Sequence, residues 1–256
     1  MATGRAWTER ELVVSMNLYC TLPFGKFDQR NPTVIEIAKL LERTPSSLSM
    51  KLCNIASLDP FHAARGVRGL KAASQADRAI WKKFHEDWEG SALESEEAIA
   101  RLRNQSLAQH ANIDESLLPR EGLEKTRFVK QRVNQYFFRS TILATYKQRC
   151  CVTGIASPEL VVASHIIPWS KNKETRMNPR NGLCLNALHD RAFDCGLMTL
   201  TTDFRVKLSP RFRLEEPTPT KKWLNDFEGR KIQLPERFQP DQDFLQWHRE
   251  NVFLTD

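Results

Sequence analysis

Three consecutive pieces decide how this chain reads: Val161-Val162-Ala163-Ser164-His165-Ile166-Ile167-Pro168-Trp169, then Asn178-Pro179-Arg180-Asn181-Gly182-Leu183-Cys184-Leu185, then Asn186-Ala187-Leu188-His189-Asp190-Arg191-Ala192-Phe193-Asp194. A β-branched run ends at His165, and Pro168, with no amide hydrogen to offer a sheet, stops it. Asn181-Gly182 turns into a second short apolar strand. Asn186 stands where a side-chain oxygen caps a helix running to about Asp194. The predicted order is strand, loop, strand, helix, with a histidine closing the first strand and another inside the helix.

With these residues in hand, the segment resembles an HNH endonuclease, a ββα-metal nuclease, of the bacterial restriction-endonuclease-like subgroup. The likeness extends to Gln135-x-Phe137-Phe138-Arg139, Tyr146-x-x-Arg149-Cys150-Cys151-Val152-Thr153-Gly154 and Trp247-His248-Arg249-Glu250, and spans residues 120–256. It implies hydrolysis of DNA phosphodiester bonds. Such chemistry needs an activated water, stabilisation of phosphate charge and help for the departing 3′ oxygen. An imidazole at a strand end can take the water's proton, which assigns His165 as general base. Asn181 either fixes that ring through its amide or supports the local backbone. One divalent cation, Mg2+ in the first instance with Mn2+ or another ion as alternatives, would sit on the following helix.

For that ion the resemblance implies His189, Asp190 and Asp194. Many members carry an acid or His just before the first His, where this chain has Ser164. The helical ligand nine residues after the central Asn falls on Asp190, and Asp194, four further on, shares its face. Two carboxylates so spaced can hold a hard cation. His189, the third letter of the motif, either binds the metal or contacts phosphate. Asp194 could equally be structural at the helix end. Arg180 and Arg191 flank the centre as candidate phosphate clamps. His62, His85, His110 and His248 have no ligand spacing and read as surface or packing residues.

Working outward, the charge is uneven. The 256 residues carry a net +7, and residues 120–149 alone carry +6, against +3 for 1–90, −3 for 91–119 and +1 for the remainder. A basic stripe attracts phosphate backbones whatever their sequence, although a solvated helix face looks the same. The segment predicts one helix, roughly 126–148, with Phe128, Val133, Phe137, Leu143 and Ala144 inward. Arg127, Lys130, Arg132 and Arg139 are its DNA-contacting candidates. It leads into Cys150-Cys151-Val152-Thr153-Gly154, read as a strand and a turn.

Residues 1–90 read as all-helical. Thr8 and Glu11 form a capping box for a first helix, Pro32 opens a second, Thr44-Pro45 a third, and Ser74–Trp88 a later one. The stretch from Ile37 to Leu48 resembles a Myb/SANT-like or helix-turn-helix module, whose helix after the turn enters the major groove. Ser46, Ser47, Ser49, Lys51 and Asn54 are then the groove-facing candidates, the alternative being a helical scaffold whose polar face meets only water. Residues 91–119 have few large apolar side chains and five acids, and read as a connector.

The expected architecture is α+β: a helical domain over 1–90, a helical connector over 91–119, and a nuclease domain over 120–256. Its added β-hairpin covers 196–208, and an aromatic-rich tail folds back over it. Six cysteines without a Cys-x-x-Cys pair argue against a disulfide framework or a paired zinc site. No apolar run approaches a membrane span, and the N-terminal residues lack a signal-peptide core, so a cytoplasmic protein is expected. DNA is the expected partner, with no membrane. A symmetric homodimer would be the simplest way to cut both strands. Restriction or anti-phage defence is the role the resemblance suggests. The alternative is a non-catalytic DNA-binding regulator on a degenerate HNH scaffold, which Ser164 favours.

Overall fold

A computed structural model describes residues 5–64, 73–114, 116, 118, 119, 122–213 and 222–255. The chain divides into two units, Met1–Thr145 and Tyr146–Asp256.

The first unit is helical. Helix α1 (Glu9–Thr21) opens with the expected capping box: the Thr8 hydroxyl accepts from the Glu11 amide, and the Glu11 carboxylate accepts from the Thr8 amide. Helices α2 (Pro32–Leu40) and α3 (Pro45–Ala56) both place proline in the first turn, capped by Asn31 and Thr44. That position suits proline because its missing N–H would have no intrahelical partner there. After a short α4 (Pro60–Ala64), α5 (Gln75–Glu86) is capped by Ser74. Val14, Tyr19, Ile37, Leu48, Leu52, Ile55, Ile80 and Phe84 are buried.

Residues 91–119 differ from their reading as a connector. Helix α6 (Trp88–Leu102) packs against α1 and buries Ser91, Ala92, Ser95, Glu96, Ala98, Ile99 and Ala100. Small side chains let helix axes approach closely, so a scarcity of large apolar residues marks tight packing here. Glu96 is acceptable inside because Asn17 Nδ2 donates to it (2.8 Å) and His110, ending the one-turn α7 (Leu107–His110), bonds to its other oxygen. The basic helix α8 (Gly122–Thr145) packs on α1, α6 and α7, so it lies in the first unit and not at the head of the second. Of the residues expected inward, Val133, Phe137 and Ala144 are buried, with Phe138 and Ile142 beside them, whereas Phe128 and Leu143 are only half-buried. It stops three residues early because Lys147 and Gln148 take φ of 53° and 56°, outside helical space.

In the second unit, β1 (Val161–His165) pairs antiparallel with β2 (Gly182–Asn186), with His165 opposite Gly182 and Val161 opposite Asn186. Helix α9 (Ala187–Asp194) follows at once. The expected hairpin is present as β3 (Met198–Leu200) and β4 (Val206–Leu208). Residues 150–154 form turns and no strand: Gly154 N donates to Cys150 O, although Cys151 N still reaches Cys184 O on β2 at 2.8 Å. Beyond a short α10 (Pro210–Arg213), α11 (Gln242–Asn251) packs on β3, and Leu254 N donates to Gly196 O. Gly196 has φ +74°, and a Cβ there would sit 2.0 Å from Val252 O, so this close return requires glycine. The tail thus folds over the ββα element as expected.

Candidate active site

His165 is the last residue of β1 and is only partly buried. Its Nε2 lies 3.0 Å from Arg176 O, a carbonyl that can only accept, so the ring carries its proton on Nε2 and Nδ1 is the basic nitrogen. Trp169 meets the ring edge-on at 5.6 Å between centroids, and the Arg176 guanidinium covers Trp169 at 4.8 Å. Desolvation lowers the imidazole pKa from 6.5 to about 4, against a smaller upward pull from the Arg176 carbonyl. At neutral pH the ring is an uncharged base.

Asn181 is fully buried and grips the chain just beyond His165. Its Oδ1 accepts from Ile167 N (2.8 Å), its Nδ2 donates to Ile167 O (3.1 Å), and its own carbonyl accepts from Ile166 N (2.9 Å). Of the two roles open to it, these bonds give it the backbone one. It fixes the turn leaving β1 and so the direction of the preceding ring.

His189 is fully buried in the first turn of α9. Asn186 Oδ1 accepts from both His189 N (2.9 Å) and Nδ1 (3.0 Å), while Asn186 Nδ2 donates to Thr153 Oγ1 (3.3 Å). The cap therefore also selects the tautomer, leaving the lone pair on Nε2, a buried atom with no hydrogen-bond partner. Burial lowers this pKa to about 4 as well. Phe227 lies edge-on to the ring at 5.5 Å. Sequence reasoning assigned Asn186 only as a cap. Its three-residue spacing to a histidine was the signal for the second role.

The ligand trio His189, Asp190 and Asp194 does not converge. Among the described residues, no group of three His, Cys, Asp or Glu side chains is arranged to hold a metal ion. Successive helical residues point about 100° apart, so His189 is interior while Asp190 is half-exposed and Asp194 exposed. The two aspartates do share a face: partial burial, then the Asp190 charge, raise the Asp194 pKa. A lone imidazole nitrogen with its tautomer fixed by an amide carbonyl nevertheless suits a metal. Ser164 is buried, its Oγ likewise without a hydrogen-bond partner.

Other candidates divide. Arg127, Lys130, Arg132 and Arg139 are all exposed on α8. Arg191 is exposed, but Arg180 is engaged by Asp241 (3.0 Å), so it is not a free phosphate clamp. On α3, Ser46 is exposed and Ser47 and Asn54 are half-buried, whereas Ser49 donates to Phe27 O. Lys51 is not groove-facing: it is buried, 2.6 Å from the Asp77 carboxylate and 4.9 Å from the Trp7 ring centre. A lysine four positions before an apolar Ile55 lies on the helix's inner face, and the partner that makes this tolerable comes from α5. His248 is a buried packing residue, stacked 3.7 Å from Phe193, with Nε2 donating to Phe193 O and Nδ1 accepting from Thr199 Oγ1. No helix among the described residues is long and apolar enough to cross a membrane.

No curated protein matches this chain. Residues 150–201, which hold β1, β2, α9 and β3 together with His165, Asn181 and His189, match the family model described as HNH endonuclease, and that domain suggests a nuclease acting on DNA.

Proposed function

We propose that the protein is a metal-dependent DNA endonuclease in which His165 is the general base. The observation that supports this reading is the place and state of His165: it closes β1 within the matched segment, its Nε2 hydrogen is committed to the Arg176 carbonyl, and the ring is uncharged at neutral pH, with Nδ1 as its basic nitrogen. Asn181 positions that ring through Ile167. His189 Nε2 is the residue atom best suited to hold the cation, with Asn186 as its positioning residue. A bound divalent ion, Mg2+ or Mn2+, would supply charge stabilisation at the scissile phosphate and the leaving 3′ oxygen. The Asp190–Asp194 pair offers a second oxygen-rich place for a hard cation on the outer face of α9.

The exposed cations of α8 hold the DNA backbone in this reading, and the α1–α3 helices help select the site through Ser46, Ser47 and Asn54. Restriction or another anti-phage defence in the bacterial cytoplasm is the biological role that fits such a nuclease. A second reading, a DNA-binding regulator on an inactive scaffold, is favoured by Ser164 in place of an acid or His and by the absence of a three-ligand cluster among the described residues. Supercoiled plasmid incubated with Mg2+ or Mn2+ separates the two. Nicked or linear product that disappears in EDTA and in His165→Ala supports the nuclease; intact plasmid with DNA binding retained supports the regulator.

A further inference from the structure

The outer face of α8 forms one side of a groove of about 470 Å3, within the size range of small-ligand sites. Phe128, Arg132 and Tyr136 recur every four residues along one stripe of the helix, Gln135 and Arg139 lie beside it, and Asp114 faces them from the loop after α7. The Arg132 guanidinium lies over the Phe128 ring, 5.0 Å from its centre, and donates to Gln135 Oε1 (3.2 Å), so cation, ring and amide already form an ordered stack. Tyr136 is braced from behind by the His110 ring, itself held by buried Glu96. The Asp114 carboxylate is fixed as an acceptor by the Ser116 amide and hydroxyl.

Aromatic faces rimmed by arginines suit a flat, uncharged ring attached to a phosphate chain. The surrounding helix adds Lys125, Arg127 and Lys130 as further exposed cations, with Glu124 the acid at its start. Stacking on protein aromatics tolerates any base, because each has a π face. An acidic peptide would match the charge but leave Phe128 and Tyr136 without a planar partner.

We propose that this groove receives an unpaired base of the DNA strand whose phosphates α8 holds. Phe128 and Tyr136 supply the stacking faces, Gln135 and Asp114 meet the base edge, and Arg132 and Arg139 take the flanking phosphates. The inference rests on DNA being the partner, but not on cleavage. It makes duplex carrying a bulged, mismatched or extruded base, or a single-stranded segment, the preferred ligand.

Fluorescence anisotropy with the full-length protein in EDTA tests it, using one DNA sequence as paired duplex, as the same duplex with a one-base bulge, and as a single strand. Bulged duplex and single strand should bind about 5- to 100-fold more tightly than paired duplex, the range expected for stacking one base. Phe128→Ala should abolish that preference, Phe128→Trp should retain it, and Lys130→Ala should weaken all three ligands by a similar factor. Equal wild-type affinity for the three, a preference that survives Phe128→Ala, or stronger binding of the same strand as RNA overturns the proposal. Paired duplex bound without preference removes only the pocket and leaves the nuclease reading intact. Failure to bind any of the three overturns both.

Discussion

In the first unit, three buried contacts join groups of opposite charge or a histidine to a glutamate: Arg43 with Glu11, Lys51 with Asp77, His110 with Glu96, whereas buried Asp59 accepts from the Tyr19 hydroxyl and buried His62 stacks on Phe24. In the second unit, His165, His189 and His248 lie partly or wholly inside, uncharged, bonded to carbonyls, an amide oxygen and a hydroxyl. Burying a charge is tolerable only with a partner that offsets its lost hydration, and such pairs fix the helices they join. A neutral imidazole needs no counter-ion, and what it keeps is a lone pair. The first arrangement holds a scaffold in register; the second keeps its imidazoles neutral inside the fold.

The sharpest way to break this contrast is His165→Ala. Loss of a general base should lower kcat for plasmid cleavage by about 10²- to 10⁴-fold while thermal stability and DNA affinity stay near wild type; full activity would remove the mechanism. On the scaffold side, Lys51→Ala strands Asp77 without its cation and should destabilise the first unit by about 3–5 kcal/mol in urea melts. A groove-facing lysine would cost far less than this, and would weaken DNA binding instead.

Acid should act on the second unit through His248, whose folded pKa is pushed down from 6.5 to about 4 by burial. Between those values the unfolded chain binds a proton that the folded one does not, so stability rises with pH. The contribution is fully present above about pH 6.5 and lost as pH falls towards 4, up to about 3 kcal/mol in all; His248→Gln should remove this share of the slope, leaving the parallel shares of His165 and His189. The same logic makes His165 a base with no acid limb in kcat/KM of its own until pH nears 4.

Asn186→Ala should raise the Mn2+ concentration needed for half-maximal cleavage by about 10- to 100-fold, since it frees the His189 tautomer. It should also cost about 1 kcal/mol from the lost cap. Activation unchanged by the variant would leave Asn186 a cap alone. The smallest effect is expected from Arg180→Ala, whose exposed pair with Asp241 contributes about 0–1 kcal/mol, with cleavage unaltered.

Much of this was legible beforehand because it is local. Thr8 with Glu11, Pro32, Thr44-Pro45 and Ser74 mark helix starts through contacts spanning two or three residues, and the helices start where they were read. The β1–β2–α9 order and the hairpin after Gly196 follow likewise from alternation, turn residues and a cap. The misreadings share the opposite character. Small residues in α6 looked like a connector, and Lys51 looked like surface, because their partners on α1 and α5 are far off in sequence. The helix's angular step likewise turns His189 inward, away from Asp190 and Asp194.

The amino-acid order by itself determined where β1, β2, α9 and the capped helices α1, α2, α3 and α5 begin, that a histidine would end β1, and that positive charge would gather on one helix. Hydrogen bonds and side-chain volumes within a few residues suffice for those outcomes. Only the folded structure decided that α8 packs with the first unit, that Asn181 holds backbone, and which nitrogen of His165 keeps its proton. Those depend on carbonyls and rings brought together from distant positions, and desolvation, which sets the charge of each imidazole, exists only once the chain has closed around it.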